Sequence, residues 1–143
     1  MKKILDLYKH HEEIINYLIV GVLTTIVSLA VKWGLLFTIL DASNAFELQT
    51  SVIISWIIAV SFAYITNRIF VFKSKSQNIL KEITSFFGSR VITLLLDMGI
   101  MWFFVTLLKL NTDTWVFIWT MVVQVLVTIL NYIFSKLLVF KKK

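Results

Sequence analysis

Arg68, Arg90, Lys136, Asp97 and Lys32 stand inside long apolar runs, where a bare charge is expensive. On insertion scales each such charge costs about 2.5–3.5 kcal/mol at the middle of a membrane-spanning helix, so each needs a reason to be there. Arg68 and Lys136 both sit four residues before the end of their runs, and Arg90 sits about one turn into its own. Two amides, Asn67 and Asn131, stand close by. Cations and amides on separate spans, all near the depth of lipid phosphates, suit an anionic headgroup. Arginine grips a phosphate through two parallel hydrogen bonds, and lysine adds a point charge. The expected phosphate-binding set is Arg68, Arg90, Lys136, Asn67 and Asn131. The competing reading is snorkelling, in which long cationic side chains reach back to the headgroups. It fits Lys136 best. It fits Arg90 less well because that residue is deeper, and Arg68 less well because it belongs to an Asn-Arg pair.

Asp97 lies near the middle of its run, seven residues after Arg90 and so on the same helical face. It reads as a charge partner for Arg90 or for a basic group on another helix, directly or through water. The functional alternative is a proton-coupling carboxylate. Lys32 and Gln124 would extend a polar path across the membrane with Asp97, although Lys32 could equally snorkel outward.

Other chemistry finds no foothold. The chain has no cysteine, which excludes disulfides and thiolate metal sites. It has no phosphate-cradling glycine loop, nucleotide fold or metal-ligand spacing. His10 and His11 are adjacent, so on a helix they point about 100° apart and do not form a ligand pair. No catalytic residue, metal or cofactor is expected, and the chain does not read as an enzyme. The basic tail suits anionic lipid headgroups, and no nucleic-acid partner is expected.

The elements that must carry these residues are four apolar runs: 17–40, 48–72, 86–108 and 115–140. About 20 such residues span a bilayer core as a helix, and lipid offers no partner to exposed backbone. Hydrophobic residues make up 59% of the 143, a share that in water would leave aggregating patches. The expected fold is therefore an all-α membrane protein with four transmembrane helices in a domain over 17–143. Proline is absent, so no helix is proline-kinked. Gly21, Gly34, Gly88 and Gly99 all fall in apolar runs, where glycine usually lets helices approach closely.

Charge sets the expected orientation. The loop over residues 73–85 carries Lys73, Lys75 and Lys81 against Glu82, and residues 141–143 are all lysine. The positive-inside rule places both, and hence both termini, in the cytoplasm. Trp33, Trp102 and Trp115 then fall toward the outer interface, where tryptophan is enriched. Residues 1–16 lack the apolar core and small-residue cleavage site of a signal peptide, so they are expected to remain as a cytoplasmic segment. Ile4, Leu5, Tyr8, His11, Ile14 and Ile15 fall near helical spacing there. This segment is either an amphipathic helix on the inner surface or an extension of the first span.

The two halves match. A shift of 69 residues lays Val22 on Val91, Thr24 on Thr93 and Trp33 on Trp102. A shift of 68 lays Asn67-Arg68-x-x-x-Phe72-Lys73 on Ser135-Lys136-x-x-x-Phe140-Lys141. The cation-x-x-x-Phe-Lys ending makes the stronger case for two repeated helical hairpins of the same orientation.

With these motifs in place, the chain resembles the GtrA-like family over nearly its whole length. Residues 17–25 (YLIVGVLTT) are similar to the family's aromatic-x-x-x-Gly-x-x-x-Thr opening, and residues 61–72 (SFAYITNRIFVF) to its Asn-Arg-x-x-x-Phe close. Residues 86–90 (FFGSR) and 131–140 (NYIFSKLLVF) supply the later segments. One position departs: where the family often has an asparagine four residues before the Asn-Arg pair, Ala63 stands. The size and lysine-rich ends look most like the GtcA-type members of Gram-positive bacteria. The resemblance implies a multi-pass protein of the cytoplasmic membrane that serves glycosylation of cell-surface polymers, notably wall teichoic acid. It implies flipping of a polyprenyl-phosphate-linked monosaccharide between leaflets, with membrane glycosyltransferases as partners and a homo-oligomer compatible with the small size. An accessory role, anchoring a polyprenyl-phosphate glycosyltransferase without transport, is the alternative. A proton-coupled multidrug exporter would need an acid in the first span, which offers only Lys32.

Overall fold

The computed structural model describes residues 1–140. Its elements are α1 (Lys2–Thr38), α2 (Ala45–Thr66), π1 (Asn67–Val71), α3 (Ile79–Met101), π2 (Trp102–Leu107), α4 (Asp113–Phe134) and π3 (Ser135–Val139). Four helices are long and apolar enough to cross a membrane: Lys2–Thr38, Ala45–Val71, Ile79–Leu107 and Asp113–Val139. The four expected spans are present, and the first and third start earlier than expected. The first helix begins at Lys2 rather than at residue 17, and the helical geometry breaks at His11 (φ −115°, ψ 18°). The third begins at Ile79 rather than 86, capped by Asn78, whose side chain accepts from the Lys81 N–H. Half of the expected 73–85 loop is therefore helix. The lysine tail, residues 141–143, lies outside the described residues.

The chain divides into two compact units, Met1–Lys75 and Ser76–Lys143. Each is a helical hairpin. In the first, the Ile39–Asn44 turn is closed by acids and amides. Asp41 accepts from the Ser43 N–H (2.8 Å) and hydroxyl (2.7 Å), and these bonds hold its carboxyl below the usual range. The Asn44 side chain accepts from the N–H groups of Phe46 and Glu47, capping α2 at the end where four amides would otherwise lack partners.

Helical geometry widens to π at the ends of α2, α3 and α4. In π1 the Phe72 N–H bonds Asn67 O at 2.9 Å, and the Ser74 N–H bonds Arg68 O at 2.9 Å. In π2 the Leu108 N–H reaches Phe103 O and the Leu110 N–H reaches Phe104 O. The residues between these bonds, Lys73 (φ 48°) and Lys109 (φ 55°), are left-handed, a place where glycine is usual. The chain uses lysine there, so the charge lies at the helix end whose carbonyls attract it.

The glycines do not behave as expected. A Cβ built on Gly21, Gly34, Gly88 or Gly99 would meet nothing within 4 Å, so none marks a close helix crossing among the described residues. Burial instead follows small polar and aromatic side chains: Ser51, Ser55, Ala59, Ala63 and Asn67 on α2–π1, and Glu82, Phe86, Ser89 and Thr93 on α3. Each set recurs every three or four residues and so forms one helical stripe. Most large aliphatic side chains are exposed, as lipid-facing surfaces should be.

Candidate functional site

Each hairpin has a ladder of contacts that fixes which residues stand level. In the first, Tyr17 meets Phe72 edge-on, with ring centroids 6.3 Å apart, and Glu12 pairs with Lys73 at 3.0 Å. One turn deeper, Gly21 comes level with Asn67 and Arg68. In the second, Phe86 meets Phe140 with centroids 5.9 Å apart, and the Thr93 hydroxyl donates to Asn131 Oδ1 at 2.8 Å. Between those two rungs, Arg90 comes level with Ser135 and Lys136. The rungs are repeat-equivalent: Tyr17 and Phe86 match under the 69-residue shift, Phe72 and Phe140 under the 68-residue shift. The duplication read from the sequence thus reappears as the same aromatic lock at the same end of each hairpin.

Within that frame the two hairpins carry different chemistry. Hairpin one has Gly21 where hairpin two has Arg90, so the cation at this level is Arg68, on π1. Hairpin two has cations on both helices. The half-buried Arg90 lays its guanidinium over the Phe86 ring, 4.4 Å from the centroid. Such a cation–π contact orients the group and lowers the cost of its desolvation. Lys136 is exposed, with Nζ 3.3 Å from the Tyr132 hydroxyl and 5.6 Å from the centre of its ring.

The amides also differ. Asn131 receives the Thr93 hydroxyl on its oxygen, which leaves its N–H₂ group as the donor for another acceptor. At the matching place in hairpin one stands Ala63, and Thr24 turns its hydroxyl back onto Val20 O at 2.8 Å. The missing asparagine is thus matched by a threonine that bonds its own helix. Replacing Thr93 with valine should cost hairpin two about 0.6 kcal/mol, the usual worth of one bond between membrane helices, and at most about 1.7. Unfolding of the reconstituted protein in graded detergent would measure it, with Thr24→Val as the near-neutral comparison.

The π segments place two buried oxygens beside the cations. Asn67 is 2% exposed and Ser135 0%. Asn67 Oδ1 and Ser135 Oγ find no hydrogen-bond partner among the described residues. Buried polar atoms are nearly always paired, and those that are not tend to mark a ligand or a water. Asn67 was expected in the site. Ser135 was not, although the repeat alignment lays it on Asn67. Also unanticipated is the burial of Glu82, which is 4% exposed and had counted only as a loop charge. Its signal is again the repeat, because a shift of 69 lays Glu82 on Glu13.

The polar path is less assembled. Asp97 is half-buried and makes no hydrogen bond or ion pair among the described residues, with Arg90 or otherwise. The expected Asp97–Arg90 partnership is therefore not formed, since two helical turns separate them along α3. Gln124 is exposed on α4, about a turn from the level of Asp97, and Lys32 is half-buried on α1. No group of three or more potential metal-ligating His, Cys, Asp or Glu side chains occurs among the described residues.

Residues 16–140 match the family model described as GtrA/DPMS, transmembrane domain. The chain is 35% identical over 133 residues to the cell wall teichoic acid glycosylation protein GtcA of Listeria monocytogenes, covering 91% of this chain and 86% of that one. It is 37% identical over 131 residues to the protein of the same name from Listeria innocua, covering 90% and 84%. It is also 37% identical over 129 residues to the membrane protein YwcD of Bacillus subtilis, covering 88% and 94%. No solved structure matches. With four membrane-length helices and a family match that leaves out only the first fifteen and last three residues, this chain belongs to the GtrA/DPMS transmembrane-domain family and is a multi-pass membrane protein.

Proposed function

We propose that this protein serves wall teichoic acid glycosylation by moving a polyprenyl-phosphate-linked monosaccharide from the inner to the outer leaflet. The coarse role is supported by relatives named for that process over most of their length. The finer reading rests on one observation: the Arg90 guanidinium lies on the Phe86 ring, level with Lys136 and the unpartnered Ser135 hydroxyl. Two cations and a hydroxyl donor at one depth suit a phosphate, whose oxygens take charge-assisted bonds. Arg68 and Asn67 offer the same chemistry on hairpin one, and the amide of Asn131 adds a donor on hairpin two.

In this reading both termini and the basic 73–81 segment face the cytoplasm, so the cations sit near the inner phosphates. The lipid tail stays in hydrocarbon while the sugar crosses against polar groups, among them Asp97, Gln124 and Lys32. Asp97 and Gln124 are costly when left to lipid, and sugar hydroxyls would bond to both. No bond is made or broken.

The alternative is an accessory subunit for a glycosyltransferase. It draws support from the family description, which joins GtrA with the transmembrane domain of DPMS. Reconstitution separates the two. Purified protein in liposomes loaded on the inside with a polyprenyl-phosphate monosaccharide should expose that sugar to an external, membrane-impermeant oxidant. Exposure no faster than in protein-free liposomes would overturn transport by this protein alone and favour the accessory role.

A further inference from the structure

The first ten residues divide cleanly by helical angle. At about 100° per residue, Ile4, Leu5, Leu7 and Tyr8 occupy one arc about 160° wide, and Lys2, Lys3, Asp6, Lys9 and His10 fill the opposite side. All of these side chains are exposed, the apolar ones included: Ile4 is 73% exposed, Leu7 62% and Leu5 54%. The helix that carries them continues into the first membrane span through the break at His11.

The direction of that break is recorded by one hydrogen bond. The Tyr8 hydroxyl donates to Asn16 Oδ1 at 3.1 Å. In a straight helix these residues stand about 12 Å apart along the axis, and a tyrosine side chain leans toward the N-terminus, away from residue 16. The bond forms only because the helix folds over on the Tyr8 side. Tyr8 lies in the middle of the apolar arc, so the apolar face is on the inside of the bend, toward the first turns of the spanning helix. Glu12 then pairs with Lys73, just past π1, and ties the base of the bend to the second helix.

We propose that residues 2–10 form an interfacial helix that docks on an anionic lipid surface. A helix bent this way at the membrane boundary turns its inner face to the lipid around the span, and that face is the apolar one. Its outer face carries three lysines against one aspartate, so it is drawn to acidic headgroups and stays hydrated. This does not depend on what the protein transports.

The chain has no native cysteine, so single sites can be labelled cleanly. The full-length variants Ile4→Cys and Asp6→Cys, each carrying a nitroxide, would be placed in nanodiscs of phosphatidylcholine alone or mixed equally with phosphatidylglycerol. In the acidic discs the Ile4 label should collide several-fold more with oxygen than with a water-soluble nickel chelate, and the Asp6 label should show the reverse. Replacing Lys2, Lys3 and Lys9 with glutamine should abolish the difference between the two disc types. Equal nickel access at both sites in acidic discs would overturn the proposal. So would an Ile4 label shielded from both reagents, which would mean docking on protein, such as a second copy, rather than lipid.

Discussion

Arg90→Ala should abolish surface glycosylation in cells that depend on this protein while its amount in the membrane stays normal. The expected loss follows from the geometry. Arg90 rests on the Phe86 ring, half-buried and level with Ser135 and Lys136, so its guanidinium is already aimed before any ligand arrives. A hydrogen bond to a charged group is worth about 1.5–3 kcal/mol. Removing it should weaken binding of the phosphate-linked lipid by about ten- to a hundredfold. Arg90→Lys keeps the charge but loses the two-pronged grip, and should fall between. Arg68→Ala tests the cation on hairpin one, and full loss there as well would mean that both hairpins contribute. The sugar content of purified wall teichoic acid, set against membrane abundance, is the measurement. Wild-type glycosylation in Arg90→Ala would remove the phosphate reading altogether.

The fold and the site were not equally legible in the sequence. The spans could be read because lipid imposes one rule, about 20 apolar residues in a helix, and four runs obey it. The site cations could be located because charge in hydrocarbon is rare. What could not be read was set by contact rather than composition. Phe86 is one of 12 phenylalanines, and nothing local says that its ring carries Arg90. Ser135 looks like an ordinary small residue until it is known that it is buried and that its oxygen has no partner among the described residues. The π segments carry no proline or glycine to announce them. Two of them, π1 and π3, lead into the buried Phe72 and Phe140, and π geometry often accompanies functional sites. The repeat alignment was the most informative signal, since it pairs Ser135 with Asn67, Glu82 with Glu13 and Phe86 with Tyr17. Asp97 went the other way: it reads as a charge partner for Arg90 or for a basic group on another helix, and it makes no direct ion pair among the described residues.

Phe86 separates packing from recognition. Its ring is fully buried, packs against Phe140 and carries Arg90. In a soluble core, Phe→Ala costs about 3–5 kcal/mol, part cavity and part lost transfer to an apolar interior. Lipid is as apolar as the interior, so here the transfer part falls away and the cavity remains. Phe86→Ala should therefore destabilise hairpin two by about 2–3 kcal/mol, read as earlier unfolding in graded detergent. Phe86→Leu fills much of the cavity but removes the aromatic face. Its expected result is near-normal stability with ligand binding weaker by about two- to thirtyfold, the range of a cation–π contact. Hairpin one supplies the control. Tyr17 holds the matching place against Phe72, but Gly21 stands where Arg90 would be, so the first helix brings no equivalent of Arg90 to its lock. Tyr17→Leu should lower stability and leave affinity unchanged. If Tyr17→Leu and Phe86→Leu weaken binding alike, the ring under Arg90 has no special part in holding the phosphate, and the difference between the two hairpins must be sought elsewhere.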